Sequence, residues 1–100
     1  MQEVKILEEE PLKIALSGEI DSENADDFYA EVTAAYRGAG DITFDCSALE
    51  FIDSTTLGTF VKILKQVKTG GGTLKLTALC PRLKKLFVIC ALDKIMEIAA

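Results

Sequence analysis

Residues 42–58 read Ile42-Thr43-Phe44-Asp45-Cys46-Ser47-Ala48-Leu49-Glu50-Phe51-Ile52-Asp53-Ser54-Thr55-Thr56-Leu57-Gly58. The stretch begins by alternating Ile42, Phe44 and Cys46 with polar neighbours, the period-two signature of a half-buried strand that ends near Cys46. From Leu57 the period changes. Leu57, Phe60, Val61, Leu64 and Val67 recur at helical spacing, and Lys68 with Gly70-Gly71-Gly72 closes that helix. Between the two, Leu49 and Phe51 are expected to anchor the connection, and Asp53 or Ser54 offers an N-cap oxygen to the N–H groups of the first turn.

The same switch of period recurs on both sides. Upstream, Val4–Leu7 and Leu12–Ser17 read as two short strands across Glu8-Glu9-Glu10-Pro11, the second alternating Leu12, Ile14 and Leu16 with Lys13, Ala15 and Ser17. Ser22 offers an N-cap to a helix whose apolar face is Ala25, Phe28, Tyr29, Val32, Ala35 and Tyr36, ended by Gly38 and Gly40. Downstream, Thr73–Leu79 reads as a strand, Pro81 opens a helix carrying Leu83, Leu86, Phe87 and Cys90 inward, and Ile95–Ile98 reads as a last strand. Strands joined by crossover helices predict an α/β fold: one domain over residues 1–100, a largely parallel sheet with an N-terminal hairpin-like pair. A sheet covered on both faces has nearly continuous apolar strands. These strands alternate, so the helices are expected mostly on one face, leaving the other partly open.

Composition bounds the function. The chain is 49% hydrophobic and 27% charged over 100 residues, as a folded globular domain is. No apolar run approaches the ~20 residues of a membrane span, and Met1-Gln2-Glu3-Val4 lacks a signal-peptide pattern, so a cytoplasmic location is expected. The absence of histidine removes the commonest general base and metal ligand, and with it serine–histidine and cysteine–histidine nucleophile pairs. Asp26-Asp27 and Glu8-Glu9-Glu10 read as solvated carboxylates. Gly70-Gly71-Gly72-Thr73 runs from helix into strand, the reverse of a phosphate loop. The residues therefore call for no enzyme, no metal and no cofactor. Cys46, Cys80 and Cys90 read as small apolar core residues, although Cys80 precedes a helix start where a thiolate is stabilised.

A net charge of −5 argues against direct nucleic-acid binding. It hides a polarity: residues 1–53 hold 14 acids and 3 bases, residues 54–100 hold 2 acids and 8 bases. Either this is chance on solvated faces, or it marks a charged partner surface.

Ser54 raises a second possibility besides capping. Open α/β sheets bind their ligands at the carboxyl edge of the strands, where this hydroxyl falls. Stepping by four from Ser54 gives Gly58 and Lys62, one stripe beside the apolar face. Glycine inside a helix costs about 1 kcal/mol relative to alanine, a cost that a closely approaching surface would explain. Ser54, Gly58 and Lys62 thus read as a contact face with a modifiable hydroxyl at its head.

With these residues in view, Asp53-Ser54-Thr55-Thr56-Leu57-Gly58 resembles the D-S-[ST]-G-L-G signature of STAS domains, in particular bacterial anti-sigma factor antagonists. Leu16-Ser17-Gly18-Glu19-Ile20-Asp21 is similar to the family's L-x-G-E-[LI]-D, and Phe44-Asp45-Cys46-Ser47 to its strand-end D-[LC]-S. Gly71-Gly72-Thr73-Leu74 and Leu92-Asp93-Lys94-Ile95 fit in order and spacing. The resemblance implies a non-enzymatic partner switch. An anti-sigma factor serine kinase of GHKL type would bind the unmodified chain, which frees a sigma factor. Phosphorylation of Ser54 would end binding, and a PP2C-type phosphatase would reset the cycle. Joined to the contact face already read from Ser54, Gly58 and Lys62, the resemblance gives Asp21, Asp53, Ser54, Thr55, Gly58 and Lys62 as the expected partner-binding residues, with Asp45 a further acidic position near that edge and Thr55 or Thr56 as lesser acceptors. A monomer is expected. The departure is Thr56, where the family has glycine; its bulk would stand where kinase and phosphatase approach. That departure favours the alternative, a STAS scaffold subunit of a lipid-transport or other transporter complex without phosphate chemistry.

Overall fold

Five strands lie side by side in chain order in the computed structural model, which describes residues 2–9, 12–38 and 40–99. They are β1 (Gln2–Glu9), β2 (Leu12–Ile20), β3 (Ile42–Ile52), β4 (Leu74–Thr77) and β5 (Glu97–Ile98). β1 pairs antiparallel with β2, and the other three pairings are parallel. The crossovers carry α1 (Ala25–Ala35), α2 (Ser54–Thr69) and α3 (Pro81–Ile89), the last followed by a 3-10 turn at Leu92–Lys94. Each parallel crossover advances one strand in the same direction. Right-handed connections then place all three helices on the same face.

Burial agrees with that topology. Leu12, Ile14 and Leu16 of β2, Ile42, Phe44 and Cys46 of β3, and Leu74 and Leu76 of β4 point into one core with residues of every helix. Their neighbours Lys13, Ala15, Thr43, Asp45, Lys75 and Thr77 stay half-exposed on the opposite face. Four phenylalanines join the layers. The Phe60 ring of α2 stands 5.2 Å from Phe28 of α1, 5.5 Å from Phe44 of β3 and 5.5 Å from Phe87 of α3, in edge-on geometries suited to aromatic rings. The expected fold class is the observed one.

Several local expectations are corrected. β3 does not end near Cys46 but continues to Ile52, with register shifts against β2 that let Leu49 and Ile52 stay buried. Phe51 anchors nothing inside: it is 45% exposed, because the shifted register turns it outward. Ser22 does not cap α1; Asn24 holds the position before the helix, without a side-chain cap bond. Cys90 faces solvent, one residue past the end of α3, and Cys80 is half-buried. Only Cys46 is a core thiol, and burial pushes its pKa up to about 12. Glu10 and Pro11, in the turn expected between the first two strands, lie outside the described residues. Gly72 answers a packing need, since a Cβ there would overlap the carbonyl oxygen of Gly40 where two loops cross.

Candidate functional site

Ile20 and Ile52 are register partners at the carboxyl ends of β2 and β3, so the segments after them leave the same edge of the sheet side by side. The first is the loop Asp21–Asn24; the second is Asp53 and the start of α2. Asp53 is extended (φ −118°, ψ −176°) and caps α2, which settles the choice between Asp53 and Ser54. Its Oδ1 accepts the Thr56 N–H at 3.0 Å, and its Oδ2 accepts the Ser22 N–H at 2.9 Å. One carboxylate therefore serves a helix cap and a tie to a loop 31 residues earlier. These bonds, the Thr56 N–H foremost, hold its carboxyl below the usual carboxylate range against an opposing desolvation.

The loop is also tied to itself. Asp21 Oδ1 accepts the Glu23 N–H at 2.9 Å, while Asn24 Oδ1 accepts the Asp21 N–H at 2.9 Å. Asn24 Nδ2 donates to the Glu19 carbonyl at 2.9 Å. Asp21 thus shapes the loop beside the helix start.

Thr56 corrects an expectation. Its side chain is fully buried and does not stand in the path of an approaching protein. The hydroxyl donates to the Ile20 carbonyl at 2.5 Å and lies 3.0 Å from Asp53 Oδ1, so one proton faces two acceptors. That enclosed hydroxyl is no surface acceptor. Ser54 and Thr55 are exposed, and the Ser54 hydroxyl makes no hydrogen bond among the described residues. The sequence did carry a signal for Thr56: with Phe60, Ile63 and Val67 it forms the most buried stripe of α2.

Gly58 and Lys62 complete the stripe. Gly58 is exposed, and a Cβ added there would meet nothing within 4 Å. Beyond its own turn of helix, no described residue lies within 4 Å of that position. Lys62 Nζ lies 5.6 Å from the centroid of the Tyr29 ring, a cation–π arrangement, and Gln66 Nε2 donates to the Tyr29 hydroxyl at 3.1 Å. The lysine therefore leans toward α1. Asp45 belongs elsewhere, on the open sheet face beside Thr77. It accepts the Ser47 N–H at 3.0 Å, and that bond lowers its pKa. Sequence reasoning missed Ser22 and Asn24 as loop fasteners, and also Arg82, whose Nη2 donates to the Glu50 carbonyl at 2.7 Å. The Ser22 and Arg82 bonds join segments 31 and 32 residues apart and depend on a tertiary meeting that no local spacing encodes, whereas those of Asn24 stay within its own loop.

The arrangement suits recognition. It offers an exposed hydroxyl at a helix N-terminus, a fixed carboxylate beside it and a flat glycine one turn along. Among the described residues no group of three or more acidic or cysteine side chains could hold a metal ion, and no helix is long and apolar enough to cross a membrane.

The STAS domain family model matches residues 3–100. The chain is 35% identical over 92 residues to the anti-sigma-B factor antagonist of Bacillus subtilis (strain 168), covering 92% of this chain and 84% of that protein. Its fold is similar to that of an anti-sigma factor antagonist from Mycobacterium paratuberculosis, with a TM-score of 0.87 and 20% identity over 99% of this chain and 86% of that one. It is also similar to the Bacillus cell fate determinant SpoIIAA in its phosphorylated form, with a TM-score of 0.71 and 21% identity over 100% of this chain and 92% of that one.

Proposed function

The chain belongs to the STAS domain family, among the anti-sigma factor antagonists, and from that premise we propose that it is a partner switch set by the state of Ser54. Unmodified, it binds an anti-sigma factor serine kinase of GHKL type through the Asp21–Asn24 loop and the first turns of α2, releasing a sigma factor. The kinase moves the γ-phosphoryl group of ATP onto Ser54 Oγ, with loss of the hydroxyl proton and release of ADP, and binding ends. A PP2C-type phosphatase hydrolyses the phosphoserine and restores the hydroxyl.

The observation that carries this reading is the exposed Ser54 hydroxyl, without a hydrogen bond among the described residues, one residue past the Asp53 cap. Phosphorylation adds about −1.5 to −2 charges. At a helix N-terminus the free N–H groups and the dipole favour that charge, so the fold persists. Within a complex the same dianion sits beside Asp53 and must be desolvated. Like-charge juxtaposition across an interface costs several kcal/mol, and each ~1.4 kcal/mol is tenfold in affinity. Binding is blocked at the surface without refolding. A protein of this fold has been solved in a phosphorylated form, which supports the compatibility of fold and phosphate.

The alternative, a scaffold subunit of a transporter complex, drew its support from the bulk of Thr56. With that side chain turned inward, the argument no longer applies. Incubation with the cognate kinase and ATP tests the proposal: one phosphate is expected on Ser54, detected by mass spectrometry, and none on Ser54→Ala. Labelling of Ser54→Ala at the wild-type rate would move the acceptor to Thr55. No labelling of the wild-type chain, together with recovery of a transporter ATPase as its partner, would favour the scaffold.

A further inference from the structure

The charge polarity of the sequence becomes a spatial one. α1 carries Asp26, Asp27 and Glu31 and no base, whereas α3 carries Arg82, Lys84 and Lys85 and no acid. The crossover of α2 lies between those of α1 and α3, and its Phe60 ring touches both Phe28 of α1 and Phe87 of α3, so α2 separates the two.

The end of α3 is also apolar. Val88 is 48% exposed, Ile89 is 69% exposed, and Ile95, in the turn that follows, is 45% exposed. Lys84 and Lys85 lie one helical turn before Val88 and Ile89, hence on the same side. α2 is basic too, through Lys62, Lys65 and Lys68, but carries no exposed large apolar side chain. On α1 the outward residues are Asp26, Asp27, Ala30, Glu31 and Ala34, a strip with small side chains between its acids. A ridge of Val88 and Ile89 preceded by Lys84 and Lys85 is complementary to such a strip in sign of charge, with Asp93 and Glu97 the acids beside Ile95.

We propose that the outer face of α3 is an interaction surface whose occupant is the acidic α1 face of a second copy of this chain, joined head to tail. The proposal is independent of the Ser54 reading. The contact is heterologous, so each pair leaves one α1 and one α3 free, and larger species follow as concentration rises. Two helix faces bury less than the roughly 1,200 Å² of a stable specific interface, so association is weak and reversible. Its charged rim makes it sensitive to salt, since surface attractions are screened beyond about 10 Å at 0.1 M.

Sedimentation velocity over a concentration series at low and high ionic strength tests this. The average mass of the wild-type chain is expected to rise with concentration at low salt, with at least about tenfold weaker association at high salt. Lys84→Glu with Lys85→Glu, and separately Asp26→Lys with Asp27→Lys, should each stay monomeric, while their equimolar mixture associates again. Ile89→Ser should weaken association and leave its salt dependence in place. Circular dichroism confirms folding of each variant. If a reversal unfolds the chain, Lys84→Gln with Lys85→Gln supplies the same readout with a smaller effect. A wild-type chain that is monomeric throughout, or a mixture that fails to associate, overturns the proposal. So does a monomeric chain that binds vesicles of anionic phosphatidylglycerol, which would assign the patch to a membrane surface.

Discussion

The Asp53 carboxylate holds the Ser22 N–H at 2.9 Å, so the cap of one helix fastens the loop that leads into another. The same carboxylate accepts the Thr56 N–H, and its pKa is lowered by both bonds. A group whose folded-state pKa is depressed contributes stability above its unfolded value, near 4, and loses that contribution as pH falls through the folded value. Asp53→Asn should therefore be less stable than the wild-type chain at pH 7, with the difference shrinking below about pH 4. Urea denaturation at both pH values reads this. A difference that does not change with pH would mean that the carboxylate charge contributes nothing. Asp53→Ala removes the cap as well and should cost about 1 kcal/mol or more.

Thr56 calls for a second measurement. Thr56→Val keeps the shape but leaves the Ile20 carbonyl without its donor, and should cost about 1–3 kcal/mol. Thr56→Gly, which restores the residue seen in the resembling signature, should cost at least as much, because a helical glycine adds about 1 kcal/mol. Since the side chain is enclosed, neither change should alter the rate at which the cognate kinase of the proposed switch labels Ser54 in folded protein. A faster rate in Thr56→Gly would show that the threonine obstructs the partner after all.

Thr56 also marks the limit of what was legible in the chain. Element order, the largely parallel sheet, the single covered face and the position of Ser54 at a helix start follow from periodicity, because period two and period 3.6 are local properties. The long β3 was not legible. Its register shifts turn Ala48, Glu50 and Phe51 outward and break the alternation that defines a strand in sequence. The inward turn of Thr56 was legible in the stripe it shares with Phe60, Ile63 and Val67, but a hydroxyl beside two others reads first as surface. Its partner, the Ile20 carbonyl, lies 36 residues away and enters only through the tertiary fold.

Gly58 separates fold from function more cleanly. It sits within α2 with open space where a Cβ would be, so Gly58→Ala should stabilise the isolated chain by about 0.5–1 kcal/mol. If the kinase packs against this turn, the same methyl group should weaken binding by about tenfold, equivalent to ~1.4 kcal/mol. Thermal melting and titration calorimetry measure the two quantities. Gain in stability with unchanged affinity would remove Gly58 from the contact face.

Ser54→Asp extends that separation to the switch itself. An aspartate at the first position of α2 meets the positive end of the helix dipole and should leave stability unchanged or raise it by about 0.3–1 kcal/mol. In the complex its charge faces the same desolvation as a phosphate, and it stands next to Asp53. It carries one charge rather than nearly two, so affinity for the kinase should fall by roughly tenfold to a hundredfold, less than with phosphoserine. Ser54→Ala should bind as tightly as the wild-type chain and resist switching by ATP. The decisive comparison is between the two readouts in Ser54→Asp. Lost affinity with retained stability supports an electrostatic block at an intact surface. Lost affinity with lost stability would place the switch in the folding of α2, and unchanged affinity would remove charge at Ser54 from the mechanism.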